Sequence, residues 1–207
     1  MHGLGNDFAV IDNIASVINP NHLDIAKLSD RHLGIGFDQL LLIGSSTVAD
    51  FSCRFFNADG SEAEQCGNGV RAVARFLREN KLFTKDKLRL ETQAGVVEIS
   101  SHDDDNIEVN MGKPQFFTSP LPEFTTLSMG NPHAIKVVDS AKIYPVETEG
   151  KNIATHPLFP EGINVGYMEI VDPHHIRLRT YERGVGETCA CGTNAVSYTH
   201  LTLPTKA

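Results

Sequence analysis

Apolar and polar residues alternate over several short stretches in the first half of the chain, at 8–12, 39–43, 52–56, 87–91, 96–100 and 107–110. A period of two belongs to a half-buried strand, so each stretch is read as a strand. Two stretches carry helical spacing instead. Residues 21–32 place Leu23, Ala26, Lys27 and Leu28 in that pattern and stop before Gly34. Residues 67–80 set Val70, Val73, Ala74 and Leu77 on one face, the i, i+3, i+4, i+7 signature of an amphipathic helix. Periodicity lapses across the Pro-rich residues 113–122, which marks a domain boundary. Strands resume at 125–128, 134–138, 163–170 and 175–181, with a helix over 146–155 before His156-Pro157. The pattern predicts a mixed α/β class of the α+β type, rich in strands, with an N-terminal half at 1–112 and a C-terminal half at 113–196.

The last eleven residues break the pattern. A helix opens at 190–196, but the residues after it are Thr-rich and interrupted by Pro204. A helix that stops after one turn recovers little of its nucleation cost. Residues 197–207 are therefore expected to be a non-native tail, with the second half incomplete and the chain destabilised and poorly active.

Composition narrows the function classes. The chain has 207 residues, 41% hydrophobic and 21% charged, ordinary proportions for a globular protein. A formal net charge of -8 disfavours nucleic acid or an anionic membrane as a partner, since both call for clustered Lys and Arg. No apolar run reaches the roughly 18–20 residues of a membrane span. The start, Met1-His2-Gly3-Leu4-Gly5-Asn6-Asp7-Phe8, has neither the basic nor the apolar region of a secretory signal. The expected location is therefore cytoplasmic. In a reducing compartment Cys53, Cys66, Cys189 and Cys191 are better read as buried, catalytic or metal-binding than as a disulfide framework.

Two segments share a layout. One runs from Phe56 through Asn57 and Glu64 to Cys66-Gly67-Asn68; the other runs from Tyr181 through Glu182 and Glu187 to Cys191-Gly192-Thr193. In each, an aromatic residue precedes a polar one, then come a turn, an acidic residue and Cys-Gly at a helix start. The polar residue stands nine positions before the cysteine both times, 57 to 66 and 182 to 191. Two such segments in one register, one per half, suggest duplicated halves facing each other across a cleft.

A cysteine at a helix N-terminus meets unsatisfied backbone N–H groups and the positive end of the helix dipole, which favour the thiolate. The same N–H groups suit a carboxylate, and a glycine after the cysteine lets it approach. Two opposed sites of this kind fit one reaction well: a thiolate removes the Cα proton of an amino acid, and a second thiol returns a proton to the other face. Buried cysteine is more often a core residue, and that is the reading for Cys53. Cys189-x-Cys191 could instead be a metal or redox pair, but no second Cys or His pair at zinc spacing accompanies it. The repeat register selects Cys191.

Met1–Phe8, Gly36-Phe37-Asp38-Gln39, residues 56–71, Gly130-Asn131-Pro132-His133, Asn164-Val165-Gly166 and residues 182–192 together resemble the diaminopimelate epimerase family. The resemblance runs from residue 1 to about Val196. It implies two pseudo-symmetric halves, each with strands wrapped around a central helix, and no metal, pyridoxal phosphate or nicotinamide. It implies interconversion of LL- and meso-diaminopimelate in lysine and cell-wall biosynthesis, with Cys66 and Cys191 as the acid/base pair. By the same resemblance His133 and Glu182 support their protonation states and position the amino group. Gly67, Asn68, Gly192 and Thr193 hold the reacting carboxylate. Asn6, Asn57, Asn131, Asn164 and Arg183 bind the substrate, and Gln39 lies near the reacting centre. Arg183 suits a carboxylate because its planar fork is bidentate. Asn194 departs from the family, which usually has glycine there. A homodimer is the assembly expected.

Proline or hydroxyproline racemases and phenazine-type isomerases share the opposed-helix logic, though Gly3–Phe8 and Glu182-Arg183-Gly184 favour the diaminopimelate branch. A cysteine hydrolase, with Cys66 or Cys191 as nucleophile and His133 as base, is the rival from another class. His102, His156, His174 and His175 are assigned no role, and the run His102-Asp103-Asp104-Asp105 reads as a solvated hairpin tip.

Overall fold

The computed structural model describes residues 1–3, 5–101, 106–189 and 191–202, with backbone alone for 198–202. The chain divides into two compact units, Met1–Asn110 and Met111–Ala207.

The first unit contains β1 (His2–Gly3), β2 (Asn6–Asp12), α1 (Ile25–Ser29), β3 (Gln39–Gly44), β4 (Phe51–Asn57), β5 (Glu62–Ala63), α2 (Gly67–Glu79), β6 (Lys87–Thr92), β7 (Gly95–Ser101) and β8 (Ile107–Asn110). The strands form one sheet in the order β1-β2-β3-β4-β6-β7-β8, with β5 hydrogen-bonded to β4. Val70, Val73, Ala74 and Leu77 of α2 are buried together with Phe8, Leu41, Ile43, Phe55, Leu90 and Ile99 of the strands. The helix is thus the axis of this core, as its apolar face predicts.

β3 departs from the alternation read from the sequence: Gln39 to Ile43 are all buried. Leu41 and Ile43 enter the α2 core, while Leu40 and Leu42 join a second cluster with Ile25, Phe37 and Phe56. A strand buried on both faces reads as a continuous apolar run.

The helix expected over 21–32 is shorter, and the reason is local. Pro20–His22 is a separate 3-10 turn, and α1 spans only Ile25–Ser29. Asp24 caps it through a bond from the Lys27 N–H, and the Asp30 carboxylate takes the N–H groups of His32 and Leu33, each at 2.7 Å. Such side chains offer the backbone an alternative to helix at both ends.

The second unit contains β9 (Gln115–Phe117), β10 (Thr125–Ser128), β11 (Pro132–Val137), α3 (Val146–Ala154), β12 (Asn164–Asp172), β13 (His175–Glu182), β14 (Gly186–Thr188) and α4 (Gly192–Thr202). Its sheet runs β14-β13-β12-β11-β10-β9. α3 contributes Val146, Ile153 and Ala154 to a core with Val165 and Tyr167. Val196 of α4 packs on a separate cluster of Leu127, Met129, Ile135 and Met168. α4 does not end after one turn, contrary to the sequence expectation. It continues to Thr202, and no helix breaker occurs before Pro204. The acidic run at 102–105 lies outside the described residues.

Both units use one local topology. β2 pairs parallel with β3, which pairs antiparallel with β4; likewise β11 pairs parallel with β12, which pairs antiparallel with β13. A short strand and a helix come next in each case, β5 then α2 and β14 then α4.

Candidate active site

In the first unit Cys66 is the N-cap of α2. Its carbonyl accepts the first helical bond from Val70 N at 2.8 Å, and its Sγ accepts from Gly69 N at 3.3 Å. Gly67, Asn68 and Gly69 form the buried first turn. The Asn68 carboxamide donates to the Gly3 carbonyl at 2.8 Å and to Asn6 Oδ1 at 3.3 Å. A Cβ on Gly3 would stand 2.5 Å from Asn68 Oδ1, so this approach requires glycine.

Asn6 is anchored in turn by Asp38, to whose Oδ2 it donates at 3.1 Å. Arg31 bridges Asp7 and Asp38 at 2.8 and 2.7 Å, and the Arg31 guanidinium holds the Asp7 carboxyl down at about 2. Gln39 Nε2 donates to Asn57 Oδ1 at 2.9 Å, and Asn57 donates to Ser61 Oγ at 3.0 Å. Gln39 Oε1 is buried with no hydrogen-bond partner among the described residues. Cys53 is a core residue whose thiol is pushed up by burial and by the neighbouring Cys66.

In the second unit Cys191 stands at the same point before α4. Its carbonyl accepts from Ala195 N at 3.0 Å, and its Sγ lies 3.3 Å from Thr193 Oγ1. Glu182 ends β13, where Oε1 accepts from Thr188 Oγ1 at 2.5 Å. Asn164 Oδ1 accepts from the Arg183 backbone N–H at 2.9 Å, and Arg183 Nη1 donates to the Glu161 carbonyl at 2.6 Å. His133 is fully buried between two carboxamides, with Nδ1 2.8 Å from Asn194 Oδ1 and Nε2 2.9 Å from Asn131 Oδ1. Burial, with a smaller contribution from the Arg183 charge, lowers its pKa to about 4 although the Asn194 bond opposes the shift. The ring is therefore neutral at physiological pH.

The strand registers align the two sets. Gln39 faces Phe8 on one side and Asn57 on the other. Asn164 faces His133, and one step beyond the Val165–Tyr181 pair it reaches the level of Glu182. The equivalences that extend the cysteine repeat into the sheets are thus Phe8 with His133, Gln39 with Asn164, Asn57 with Glu182, and Cys66 with Cys191.

A family model described as Diaminopimelate epimerase matches residues 1–117 and 125–203. The chain belongs to the diaminopimelate epimerase family. It is 46% identical over 218 residues to the diaminopimelate epimerase of Nitrosomonas eutropha, covering 94% of this chain and 78% of that protein. It is 47% identical over 215 residues to the diaminopimelate epimerase of Nitrosospira multiformis, with the same coverage. Among solved structures it resembles a phenazine biosynthesis protein of the PhzF family from Bacillus anthracis, with a TM-score of 0.71 at 22% identity over 93% of this chain and 72% of that one. That likeness concerns the fold.

Within this diaminopimelate epimerase fold several residues support the site through contacts that the sequence does not reveal. Thr188 holds Glu182, Ser61 holds Asn57, and Asp38 with Arg31 holds Asn6. Gly162 has φ +71, and a Cβ there would stand 2.6 Å from Arg183 Cδ. Each of these contacts depends on chain reversal or on strand pairing, which spacing alone does not report. Among the described residues no group of three or more His, Cys, Asp and Glu is placed to hold a metal ion, and no helix is long and apolar enough to cross a membrane.

Proposed function

We propose that the chain interconverts LL- and meso-diaminopimelate by two-base proton transfer at Cα, with Cys66 and Cys191 as the catalytic pair. The observation that carries this reading is the recurrence of one Cys-Gly helix start in both units, at the same register relative to the sheet. The family supports the substrate, since its curated relatives bear the name diaminopimelate epimerase.

In one direction a thiolate takes the Cα proton and becomes a thiol, leaving the electron pair on the substrate's Cα–carboxylate system. The second thiol then gives its proton to the opposite face and becomes the thiolate. Protons balance, no redox change occurs, and the stereocentre is inverted. The N–H groups of Gly67, Asn68, Gly192 and Thr193 suit the α-carboxylate, where negative charge accumulates as the proton leaves. Asn6, Asn57, Asn131, Asn164 and Arg183 bind the remaining polar groups, and Gln39 presents an unsatisfied buried acceptor beside Asn57. Glu182 offers its carboxylate to the substrate ammonium. His133, neutral and held on both sides, orients Asn131 and avoids placing a second cation by that ammonium. The reading carries with it a cytoplasmic location, no bound cofactor, no nucleic-acid partner and assembly as a homodimer.

Incubation of the purified chain with LL-diaminopimelate in D2O, with NMR of the Cα–H signals, tests it. Deuterium at one stereocentre together with meso product is expected. A folded chain that exchanges no Cα–H overturns the reading. Turnover of proline instead would transfer the chain to the racemase branch.

A further inference from the structure

The two units differ at one point of their shared design. In the first, the fourth residue of the Cys-Gly turn is Gly69, where a Cβ would stand 3.1 Å from Phe55 Cε1 and 3.2 Å from Leu41 Cδ2, and the residue in the His133 position is Phe8. In the second, the same two positions hold Asn194 and His133, which bond to each other at 2.8 Å. An apolar residue with glycine thus suffices for the fold in one unit, while the other buries a polar pair in their place. Burying two such groups is costly unless each is satisfied. Asn194 is 1% exposed, and its Nδ2 has no hydrogen-bond partner among the described residues. The pair is therefore not the cheapest packing for this site.

We infer that Asn194 is a positioning residue: from the first turn of α4 it clamps His133, and through His133 it fixes Asn131 and the start of the helix after Cys191. The inference rests on the epimerase reading for its catalytic consequence. Its structural part stands on three residues linked in one line, Asn194 to Nδ1 and Nε2 to Asn131. A neutral imidazole has one N–H and one lone pair. Both partners are carboxamide oxygens, so a neutral ring can donate to only one of them: with Nδ1–H donating to Asn194 Oδ1, the Nε2 lone pair requires the Asn131 carboxamide to be turned to present its NH2, and that arrangement fixes a single tautomer and ring orientation. The clamp also joins α4 to β11 at the one turn that bears the Cys191 carbonyl and Thr193, whose Oγ1 touches the thiol.

The test uses the whole chain with 15N-labelled histidine. In the unaltered protein at neutral pH the His133 nitrogens should give one N–H and one bare-nitrogen shift. Asn194→Ala should move both toward averaged values and lower kcat for diaminopimelate roughly 10- to 100-fold with KM little changed. Asn194→Asp keeps the shape and the acceptor oxygen, so the single tautomer should return, part of kcat should recover, and His133 should titrate at higher pH. Arg183 is the other charged group acting on the ring and is unchanged in both variants. An Ala variant with native shifts and native kcat overturns the inference. If the Ala variant does not fold, a folded Asp variant whose His133 titration is unmoved overturns it. Absence of epimerase activity in the unaltered chain rejects the functional reading alone, and the nitrogen shifts then still decide whether Asn194 sets the tautomer.

Discussion

At the scale of single residues, chemistry and support separate cleanly. Cys66→Ser and Cys191→Ser each replace a thiol by a far weaker acid, so each alone should lower kcat by at least about 100-fold. A hydrolase would lose activity with only one of them, which a progress-curve assay on both variants distinguishes. Gly162→Ala tests a support residue. Its φ of +71 and the 2.6 Å approach to Arg183 Cδ leave no space for a Cβ, so the Arg183 stem must move. Because Arg183 is assigned to substrate binding, KM should rise several-fold while kcat changes less, as initial-rate kinetics would report. The helix-start positions of the two cysteines were legible in the sequence because both lie in a repeated motif. The Asn194–His133 clamp was not, because it joins residues 61 apart that only the packing of α4 against β11 brings together.

At the scale of elements, Cys66 is a helix cap and, in the proposed mechanism, a reagent as well, and two substitutions separate these roles. Serine is a good N-cap and alanine is not, the difference being worth about 1 kcal/mol. Cys66→Ser should therefore keep the urea midpoint of the unaltered chain, while Cys66→Ala lowers it, with both variants inactive. Equal midpoints would mean that the bond from Gly69 N to Sγ contributes nothing to α2. Helical spacing was readable in α2 because its face is sharply apolar. It misled at 21–32, where Asp24 and Asp30 cap a helix of five residues. The very short strands β1, β5 and β14 were not visible at all, since two or three residues carry no period. The two-faced burial of β3 comes from a second cluster around Phe37, which lies in a loop.

At the scale of the whole molecule, stability should fall with acid first through His133 and then, lower down, through the carboxylates held below their ordinary values, Asp7, Asp59, Glu62 and Glu149 among them. His133 is about 4 in the folded chain against 6.5 when unperturbed, because burial disfavours its charged form. Between pH 6.5 and 4 the unfolded chain binds a proton that the folded chain does not, so folding free energy falls as pH falls. The two values differ by about 2.5 units, which corresponds to a loss of about 3 kcal/mol once pH 4 is reached. Asp7 acts lower down: its carboxyl, held near 2 by Arg31 against an ordinary 3.8, contributes stability that is lost between those two values. The Asp7 side chain is 34% exposed and its partner Arg31 54%, so solvent screens the pair, and its step should be small and should shrink with salt. Urea titrations at successive pH values check both. His133→Gln removes the titrating group while keeping polar atoms beside Asn131 and Asn194, so it should flatten the decline between pH 6.5 and 4 and leave the lower step in place. Arg31→Met should remove Asp7's share of the lower step and leave the upper decline in place. A His133→Gln chain that loses stability over pH 6.5 to 4 as steeply as the unaltered protein would show that the buried ring is not the source of the acid sensitivity. The neutral state assigned to His133 at the candidate site would then have to be abandoned with it.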